Sequence, residues 1–297
     1  MTPPWPIIVL PLWAAFAYAL AATLLKRVSR SNVDPWRITL FTNLVAAAGT
    51  QLFWLLPDHG RTLDWSLPLQ ALAPAVLFSI AQVLTVLAIH AGDVSVATPL
   101  MGTKVLFVAV LTVVLLGTPL DWRVWAGAGL ATVAVALLRG RAATRHRHVG
   151  RTIVLAVTAS LLFAATDVIV QRYGPAWGAA RFVPTVFGMV GLLSLPLVLR
   201  FEKTSPSLLE GSRRILAVAS LFYALQVMSM AFALAQYGHA ATVNIMYSSR
   251  GIWGVVLAWT LGPLIGLSEH HHGRGVFAQR LAAATLIIAA IVLALWQ

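Results

Sequence analysis

The chain has 297 residues, of which 59% are hydrophobic and 10% are charged, and its mean hydropathy is +0.84. A soluble globule of this size needs far more polar surface than these residues supply, so the composition excludes a soluble enzyme and predicts a membrane protein. The sequence contains no cysteine, which excludes thiol catalysis and a cysteine metal site.

Ten apolar segments follow one another along the chain, each long enough to cross a hydrocarbon core about 30 Å thick at about 1.5 Å per residue. They lie at about 7–25, 36–56, 68–90, 95–117, 123–138, 152–171, 178–199, 213–236, 240–262 and 276–296. The longest connection runs from Arg139 to Arg151, which leaves no room for a soluble catalytic domain. The sequence therefore predicts an all-α, polytopic membrane protein with ten transmembrane helices.

The basic residues predict the orientation of these spans. If the amino terminus lies on side one, the loops on side two carry 15 Lys and Arg residues, against four on side one. By the positive-inside rule the basic loops are cytoplasmic and both termini lie outside an inner (cytoplasmic) membrane. These basic residues form no stripe interleaved with aromatic residues, so we expect a membrane lipid environment and no nucleic-acid partner.

The two halves of the chain resemble each other. The segment "LFSIAQV" at 77–83 aligns with "LFYALQV" at 221–227 at an offset of 144, and an offset of 146 places Lys104 on Arg250. Because each half holds an odd number of spans, the second half enters the membrane from the opposite side. We therefore predict two inverted five-helix repeats, at 1–138 and 152–297, joined by a basic linker at 139–151. Inverted repeats are typical of secondary transporters with a site at the repeat interface.

Several short motifs carry a resemblance to a known family. The fourth span begins with the small-x-Pro-Leu step Ala97–Leu100 and ends on Leu116–Gly117, and a Gly-rich fifth span, "WAGAGLATVAVALL", follows. With ten spans in about 300 residues, the whole chain resembles the drug/metabolite transporter superfamily, in its EamA-type branch. The resemblance implies a ten-span secondary transporter. Two features depart from the family: Thr118 and Pro263 stand where members commonly carry an acidic residue, and many members keep their termini in the cytoplasm.

Lys104 and Arg250 each lie about ten residues from either end of a predicted span, where a charged side chain costs about 2.5–3.5 kcal/mol on insertion scales. Three interpretations are open. Buried carboxylates neutralise the two cations, which then only fix the packing; or the pair lines a wet central cavity that binds an anionic group; or Lys104 titrates as a proton carrier.

Asp167 is the acidic residue inside a span, and we place it about one turn from the outer end of the sixth. It either pairs with Arg172 or is hydrated by interfacial water, or it acts as a coupling or gating residue that pairs with Lys104 or Arg250 when the substrate is absent. Further candidate substrate-binding residues are polar side chains within the spans, of which the two mid-span glutamines either bond neighbouring helices or contribute to the site. The candidates are Gln82, Gln226, Asn244, Tyr247, Thr103 and Ser249.

The sequence predicts no cofactor and no metal site. The histidines of "SEHHHGRG", from Ser268 to Gly275, are typical of a solvated loop, because no second cluster completes a coordination sphere. An intramembrane enzyme needs a catalytic pair in one cavity, and Asp167 with His239 or His90 is the pair the sequence offers. Both histidines lie near the ends of spans, so we expect a protein that is not an enzyme.

The resulting prediction is a secondary transporter of a small organic solute, which we expect to be anionic and to bear a carboxylate or phosphate. Alternating access across the inner membrane would move it, driven by gradients or exchange. Two other transport functions stay open: an exporter of amphipathic drugs or amino-acid-like metabolites by proton antiport, and a flippase for a lipid-linked phosphate. The sequence does not indicate an oligomeric state.

Overall fold

The computed structural model describes residues 5–31, 33–57, 68–91, 100–138, 149–201, 210–262, 264 and 274–296. The first half contains α1 (Trp5–Ser29), α2 (Pro35–Thr50), α3 (Pro68–Ala91), α4 (Lys104–Leu116) and α5 (Trp122–Leu137). The second half contains α6 (Val149–Trp177), α7 (Ala179–Ser194), α8 (Glu210–Tyr237), α9 (Ala240–Tyr247), α10 (Arg250–Thr260) and α11 (Arg274–Leu295). Short 3-10 helices at Gln51–Leu55, Met101–Thr103 and Leu195–Arg200 adjoin α2, α4 and α7.

These elements confirm the all-α, polytopic membrane fold. Every predicted span contains helix in the described residues, and six segments are long and apolar enough to cross a membrane. The other apolar helices are shorter: Met101–Leu116, Trp122–Leu137 and Leu281–Leu295. Large apolar side chains such as Leu55, Val114 and Leu199 are exposed on the outside of the bundle. Exposed apolar surface of this kind is suited to contact with lipid.

Local sequence signals set several helix ends. Asp34 accepts a hydrogen bond from the Trp36 backbone N–H at 2.8 Å and caps α2, and Asp121 caps α5 in the same way through Arg123. Gly117 ends α4 in the left-handed region at φ 66°, which glycine adopts without a steric penalty. Gly117 and Asp121 thus set the end of α4 and the start of α5, two helices that contribute to the site described below.

The fourth and ninth spans differ from the continuous helices predicted at 95–117 and 240–262. The described part of the fourth span passes through the 3-10 helix Met101–Thr103 before α4 begins at Lys104. The ninth span is interrupted by a turn at Ser248 and Ser249, after which α10 begins at Arg250. The Ser248 hydroxyl donates to the Ile245 carbonyl, a local bond that competes with regular helix. Each cation is thus the first residue of a half-helix.

The sixth span is also longer than predicted. Helix α6 runs from Val149 to Trp177, so the last three residues of the predicted linker, 149–151, are helical. Residues 139–148 lie outside the described residues. Asp167 consequently lies ten residues before the end of α6, and the prediction that it sits one turn from the outer end was wrong. The structure places this carboxylate deep in the bundle.

The helices pack in two matching sets. Helix α1 packs along α8 and contacts α10, while α6 packs along α3 and contacts α4. Under the predicted repeat, α1 corresponds to α6, α8 to α3 and α10 to α4, so the two sets of contacts are equivalent. This agrees with the repeat but does not test its boundaries. Small residues permit the closest approaches: a Cβ atom at Gly174 of α6 would lie 2.5 Å from the Ala235 Cα of α8. The buried core accordingly contains many alanines.

Candidate substrate site

The centre of the bundle holds an ion pair between α4 and α6. The Lys104 ammonium lies 2.7 Å from Oδ2 of Asp167. The side-chain amide of Asn244, on α9, donates to the same oxygen at 2.7 Å and to the Ala240 carbonyl at 3.0 Å. The side chains of Lys104 and Asp167 are only 15% and 11% exposed, so the pair is largely withdrawn from water. Three helices therefore meet at one carboxylate oxygen.

The second carboxylate oxygen of Asp167, Oδ1, is placed differently. Both hydrogen-bond donors, from Lys104 and Asn244, lie on Oδ2, and Oδ1 has no partner in the part of the chain that the structure describes. A carboxylate has about four lone-pair sites across its two oxygens. The contacts of Lys104 and Asn244 thus converge on Oδ2, which leaves lone pairs of Oδ1 for a further hydrogen-bond donor.

Arg250 is held by aromatic rings. Its guanidinium carbon lies 5.0 Å from the ring centroid of Tyr18 on α1 and 4.6 Å from that of Tyr247 on α9. The two rings are themselves in edge-to-face contact at 5.9 Å between centroids. Within the described residues no carboxylate forms a salt bridge with Arg250, and its guanidinium lies against the two tyrosine rings instead.

Lys104 has a corresponding but weaker aromatic contact. Its ammonium lies 5.9 Å from the ring centroid of Phe163 on α6. Phe163 aligns with Tyr18 across the two halves, at an offset of 145. Each cation therefore faces a ring from the first helix of the other half. The surroundings of the two cations differ in charge. Lys104 has the carboxylate of Asp167 beside it, whereas the residue of α1 that aligns with Asp167 at the same offset is the uncharged Ala22.

A small cavity joins the two cations. It is lined by Gly102, Lys104, Val105, Val135, Asn244, Tyr247, Ser248 and Arg250. Its volume is about 10 Å³, close to the minimum that holds a single water molecule. Lys104, Arg250 and Asp167 together carry one net positive charge beside it. The arrangement is an occluded site with an excess of positive charge, which suits the binding of an anion.

Gln82 belongs to a separate polar cluster at the crossing of α2, α3, α7 and α8. Its amide nitrogen donates to Oδ1 of Asn43 at 2.9 Å and to the Tyr223 hydroxyl at 2.8 Å. The Asn43 amide in turn donates to the Ser194 hydroxyl at 2.8 Å. Gln226 is buried on α8, one turn beyond Tyr223. Sequence reasoning missed Asn43 and Tyr223, because spacing along a helix does not say which polar side chains face a neighbouring helix.

The remaining candidates from the fourth and ninth spans lie at the helix breaks. The Thr103 hydroxyl donates to the Leu100 carbonyl at 2.6 Å and so stabilises its own turn. Ser249 is buried at the start of α10, and its hydroxyl has no partner among the described residues. Tyr247 and Asn244 contact the charged centre as described above. Thr103 and Ser249 are thus placed beside the cations by the chain, while their side chains make no described contact with them.

Two side chains at the outer end of α6, as the predicted topology places it, bond the fourth and ninth spans. Arg172 donates to the Leu115 carbonyl at 2.6 Å, near the end of α4. Oε1 of Gln171 accepts from the Ala240 backbone N–H at 2.6 Å, at the start of α9. A cleft of about 350 Å³, lined by these side chains together with Thr118, opens here. The alternative pairing of Asp167 with Arg172 is not the one found in the described residues.

The histidine candidates do not join the site. His239 is exposed in the turn between α8 and α9, with φ 54°. The side chain of His90 and the histidines of 270–272 lie outside the described residues. The part of the chain that the structure describes contains no group of three or more His, Asp or Glu residues that could hold a metal ion.

Comparisons with known proteins give a family for the first half and a fold for the whole. Residues 5–140 match the EamA-like transporter family, as the resemblance of the sequence predicted. One solved structure, titled only "Crystal structure of protein", superposes with a TM-score of 0.76 at 13% sequence identity. The match covers 97% of this chain and 96% of that chain, so the entire helical arrangement has a precedent. No curated protein sequence matches the chain.

Proposed function

We propose that the protein is a membrane transporter, as the match of residues 5–140 to the EamA-like transporter family suggests, and that it moves a small organic anion. The single observation that carries this proposal is the charge of the central cavity. Lys104 is neutralised by Asp167 at 2.7 Å, whereas Arg250 has two tyrosine rings and no carboxylate partner among the described residues. A carboxylate or phosphate group would complete the site.

Arg250 is suited to this role by its chemistry. A guanidinium presents its N–H donors in a planar fork that matches carboxylate and phosphate oxygens. The ring centroids of Tyr18 on α1 and Tyr247 on α9 lie 5.0 Å and 4.6 Å from its carbon and hold it by cation–π contact. Lys104 adds a second charge from α4 whenever it leaves Asp167. An anion between the cations would therefore bond helices from both halves of the chain.

Alternating access follows from the same placement. Lys104 and Arg250 begin half-helices α4 and α10, which belong to the two predicted inverted repeats. A site between two such repeats opens to each side in turn when one rocks against the other. The cavity of about 10 Å³ corresponds to the closed arrangement, and it must widen to admit a solute. We place this cycle in the inner membrane, driven by solute or ion gradients.

Ligand binding to the purified full-length protein in detergent tests the sign of the charge. The probes are lactate, dimethyl phosphate, alanine as a zwitterion, and tetraphenylphosphonium as an organic cation. We expect thermal stabilisation by lactate or dimethyl phosphate, and affinity about 10- to 150-fold lower in Arg250→Gln, because a hydrogen bond to a charged group contributes about 1.5–3 kcal/mol. Gln51→Leu, on the exposed 3-10 helix after α2 and outside the site, is the control, and its ligand-induced shift is read against its own melting temperature because Gln51 bonds the Pro184 carbonyl.

Each result decides between the functions left open. Stabilisation by the anions and its loss in Arg250→Gln support the proposal. Binding of tetraphenylphosphonium alone would favour an amphipathic drug as the substrate, and binding of alanine alone would favour an amino-acid-like one. Anion binding that is equal in wild type and Arg250→Gln would move the site away from the central cations.

A further inference from the structure

The polar cluster at Gln82 joins two helices that do not pack along each other in the described residues. Helix α3 packs along α6 and α7, while α8 packs along α1 and α2. The amide nitrogen of Gln82, on α3, donates to the hydroxyl of Tyr223, on α8, at 2.8 Å. Two side chains therefore bridge the interior of the bundle between α3 and α8.

Several groups of this cluster have no partner in the part of the chain that the structure describes. Gln82 uses both N–H groups of its amide, on Asn43 and Tyr223, and no donor lies on its carbonyl oxygen Oε1. The hydroxyl of Tyr223 accepts one of these bonds, and its own hydrogen has no acceptor. Gln226, one turn further along α8, is 9% exposed, and its amide makes no hydrogen bond to a described residue. None of these atoms is fully enclosed by protein.

Polar groups without a partner are costly in the middle of a membrane protein. Nearly all buried polar groups in proteins are hydrogen-bonded, and the bilayer core supplies no water to those that are not. The groups left over at Gln82, Tyr223 and Gln226 therefore point to a small polar ligand. Because their atoms are not fully enclosed, room is left beside them for such a ligand.

The donors and acceptors of this cluster match a hydroxyl group. Tyr223 offers an O–H donor, and Oε1 of Gln82 is an acceptor on the amide that is bonded to the same hydroxyl. A hydroxyl group donates one hydrogen and has two acceptor lone pairs, so it can bond both at once. An ammonium group only donates, and it would be repelled by the net positive charge of Lys104, Arg250 and Asp167.

One side of the cluster adjoins the ring that faces Lys104. Phe78 lies one turn before Gln82 on α3, and its ring is in edge-to-face contact with Phe163 at 5.4 Å between centroids. The Lys104 ammonium lies 5.9 Å from the centroid of Phe163. Two contacting rings thus connect Lys104 to the turn of α3 that precedes Gln82.

The other side of the cluster adjoins the rings that face Arg250. Tyr223 is close enough to Tyr18 and Tyr247 for their hydroxyl groups to interact electrostatically. The rings of Tyr18 and Tyr247 lie 5.0 Å and 4.6 Å from the guanidinium carbon of Arg250. A solute whose charged group lies between the cations can therefore extend a neutral group toward Tyr223.

We infer that Gln82, Tyr223 and Gln226 form a neutral subsite that binds a hydroxyl group of the anionic solute. The inference rests on the proposed function and narrows its substrate class to anions that carry a hydroxyl group. The two glutamines occupy equivalent places in the two halves, at an offset of 144, as Lys104 and Arg250 do at an offset of 146. Charge then holds one end of the solute, and neutral hydrogen bonds hold the other.

Two anions of equal size test the subsite in the purified full-length protein in detergent. In 4-hydroxybutyrate a hydroxyl takes the place of the terminal methyl group of pentanoate, and both are singly charged carboxylates at neutral pH. By thermal-shift titration we expect wild type to bind 4-hydroxybutyrate about 5- to 150-fold more tightly, because pentanoate leaves the buried polar groups unsatisfied. In Tyr223→Phe, which removes one hydroxyl of the subsite, this ratio is expected to fall toward one.

Matched variants separate the subsite from the packing of α8. Gln226→Met keeps the length of the side chain without its amide and is also expected to lower the ratio. Tyr237→Phe removes a hydroxyl from the same helix outside the cluster and is expected to keep the wild-type ratio. Arg250→Gln is expected to weaken the binding of both anions by a similar factor, since it removes the charge that binds their common carboxylate.

The outcomes distinguish the subsite from the proposed function. A ratio near one in wild type, or a high ratio that both Tyr223→Phe and Gln226→Met retain, would show that the subsite is wrong while the anion site at Arg250 stands. An equal fall of the ratio in Tyr237→Phe would attribute the effect to the packing of α8 and would also overturn the subsite. If wild type binds neither these two anions nor lactate or dimethyl phosphate, the proposed function itself is wrong.

Discussion

At the scale of single residues, the least usual feature is Arg250, a buried arginine that lies against two tyrosine rings and forms no salt bridge within the described residues. Exchanging Arg250 for lysine keeps the charge and removes the planar fork, so it separates electrostatic attraction from directed hydrogen bonding. We expect Arg250→Lys to bind lactate or dimethyl phosphate about tenfold or more weakly, since it loses at least one charge-assisted hydrogen bond of about 1.5–3 kcal/mol. Thermal-shift titration measures the change.

The tyrosine beside Arg250 supplies the matched control. Tyr247→Phe keeps the ring face 4.6 Å from the guanidinium, and Tyr247→Leu removes it. A cation–π contact of this kind is worth about 0.5–2 kcal/mol, so Tyr247→Leu should weaken anion binding more than Tyr247→Phe, which removes only the hydroxyl beside Arg250. An Arg250→Lys variant with wild-type affinity would show that charge alone holds the solute.

The ion pair of Lys104 and Asp167 makes a prediction about stability. Removing one partner leaves the other buried and unpaired, which typically costs about 3–5 kcal/mol, whereas removing both leaves a neutral pair. We therefore expect Lys104→Gln to unfold at a clearly lower temperature than wild type in detergent, and Lys104→Gln/Asp167→Asn to recover most of the loss. A double variant no more stable than Lys104→Gln would contradict the pairing at 2.7 Å.

The charged residues of the central site could be predicted from the sequence, but the ion pair and hydrogen bonds between them could not. A lysine and an arginine at equivalent points of two apolar spans indicate a site because their insertion is costly. The partner of Asp167 stayed undecided between Arg172 and the two cations, since along the sequence Arg172 is by far the nearest. The structure pairs Asp167 with Lys104 because α4 packs against α6, a contact that no local pattern contains.

At the scale of helices, the broken spans decide where the cations lie. The apolar run of the ninth span continues through Ser248 and Ser249, and hydropathy alone predicts one helix of more than 20 residues. The structure instead ends α9 at Tyr247 and begins α10 at Arg250. Within a membrane, a break of this kind is tolerated only where the freed backbone groups are buried in protein or line a cavity. The positions of the breaks therefore locate the site more closely than the apolar pattern of the helices does.

Close helix contact at Gly174 gives a prediction at this scale. A Cβ atom there would lie 2.5 Å from the Ala235 Cα, which is backbone and cannot rotate away. We expect Gly174→Ala to separate α6 from α8 and to destabilise the protein by about 1–3 kcal/mol, in line with other overpacked sites. The melting temperature in detergent measures it.

Gly129 of α5 is the control for this substitution. A Cβ atom at Gly129 would meet nothing within 4 Å, so Gly129→Ala lacks the steric cost. It should leave the melting temperature unchanged or raise it, because alanine favours helix over glycine by about 1 kcal/mol. Equal destabilisation by both substitutions would show that the two helices do not approach as closely as described.

At the scale of the whole molecule, contacts between helix ends agree with ten alternating crossings. Arg123, at the start of α5, donates to the Trp296 carbonyl at 2.7 Å, so the end of the tenth span meets the start of the fifth. On the predicted opposite side, Ser212 at the start of α8 lies 3.4 Å from Ser31, after α1. Both pairings join ends that alternation places on one side. They do not show which side faces the cytoplasm. The distribution of basic residues between the loops predicts that.

The positive-inside rule then predicts the absolute orientation. The loops on one side carry 15 basic residues against four on the other, which places the cleft at Thr118 outside the cell and the linker at 139–151 in the cytoplasm. Since the chain has no cysteine, single substitutions give an unambiguous readout. A membrane-impermeant thiol reagent applied to intact cells should label Thr118→Cys, and Ala143→Cys should react only after the membrane is opened.

The reverse labelling pattern would place both termini in the cytoplasm, as in many transporters of the superfamily that the chain resembles. That outcome would leave the occluded site and the Asp167 pair unchanged, because neither depends on which side is outside.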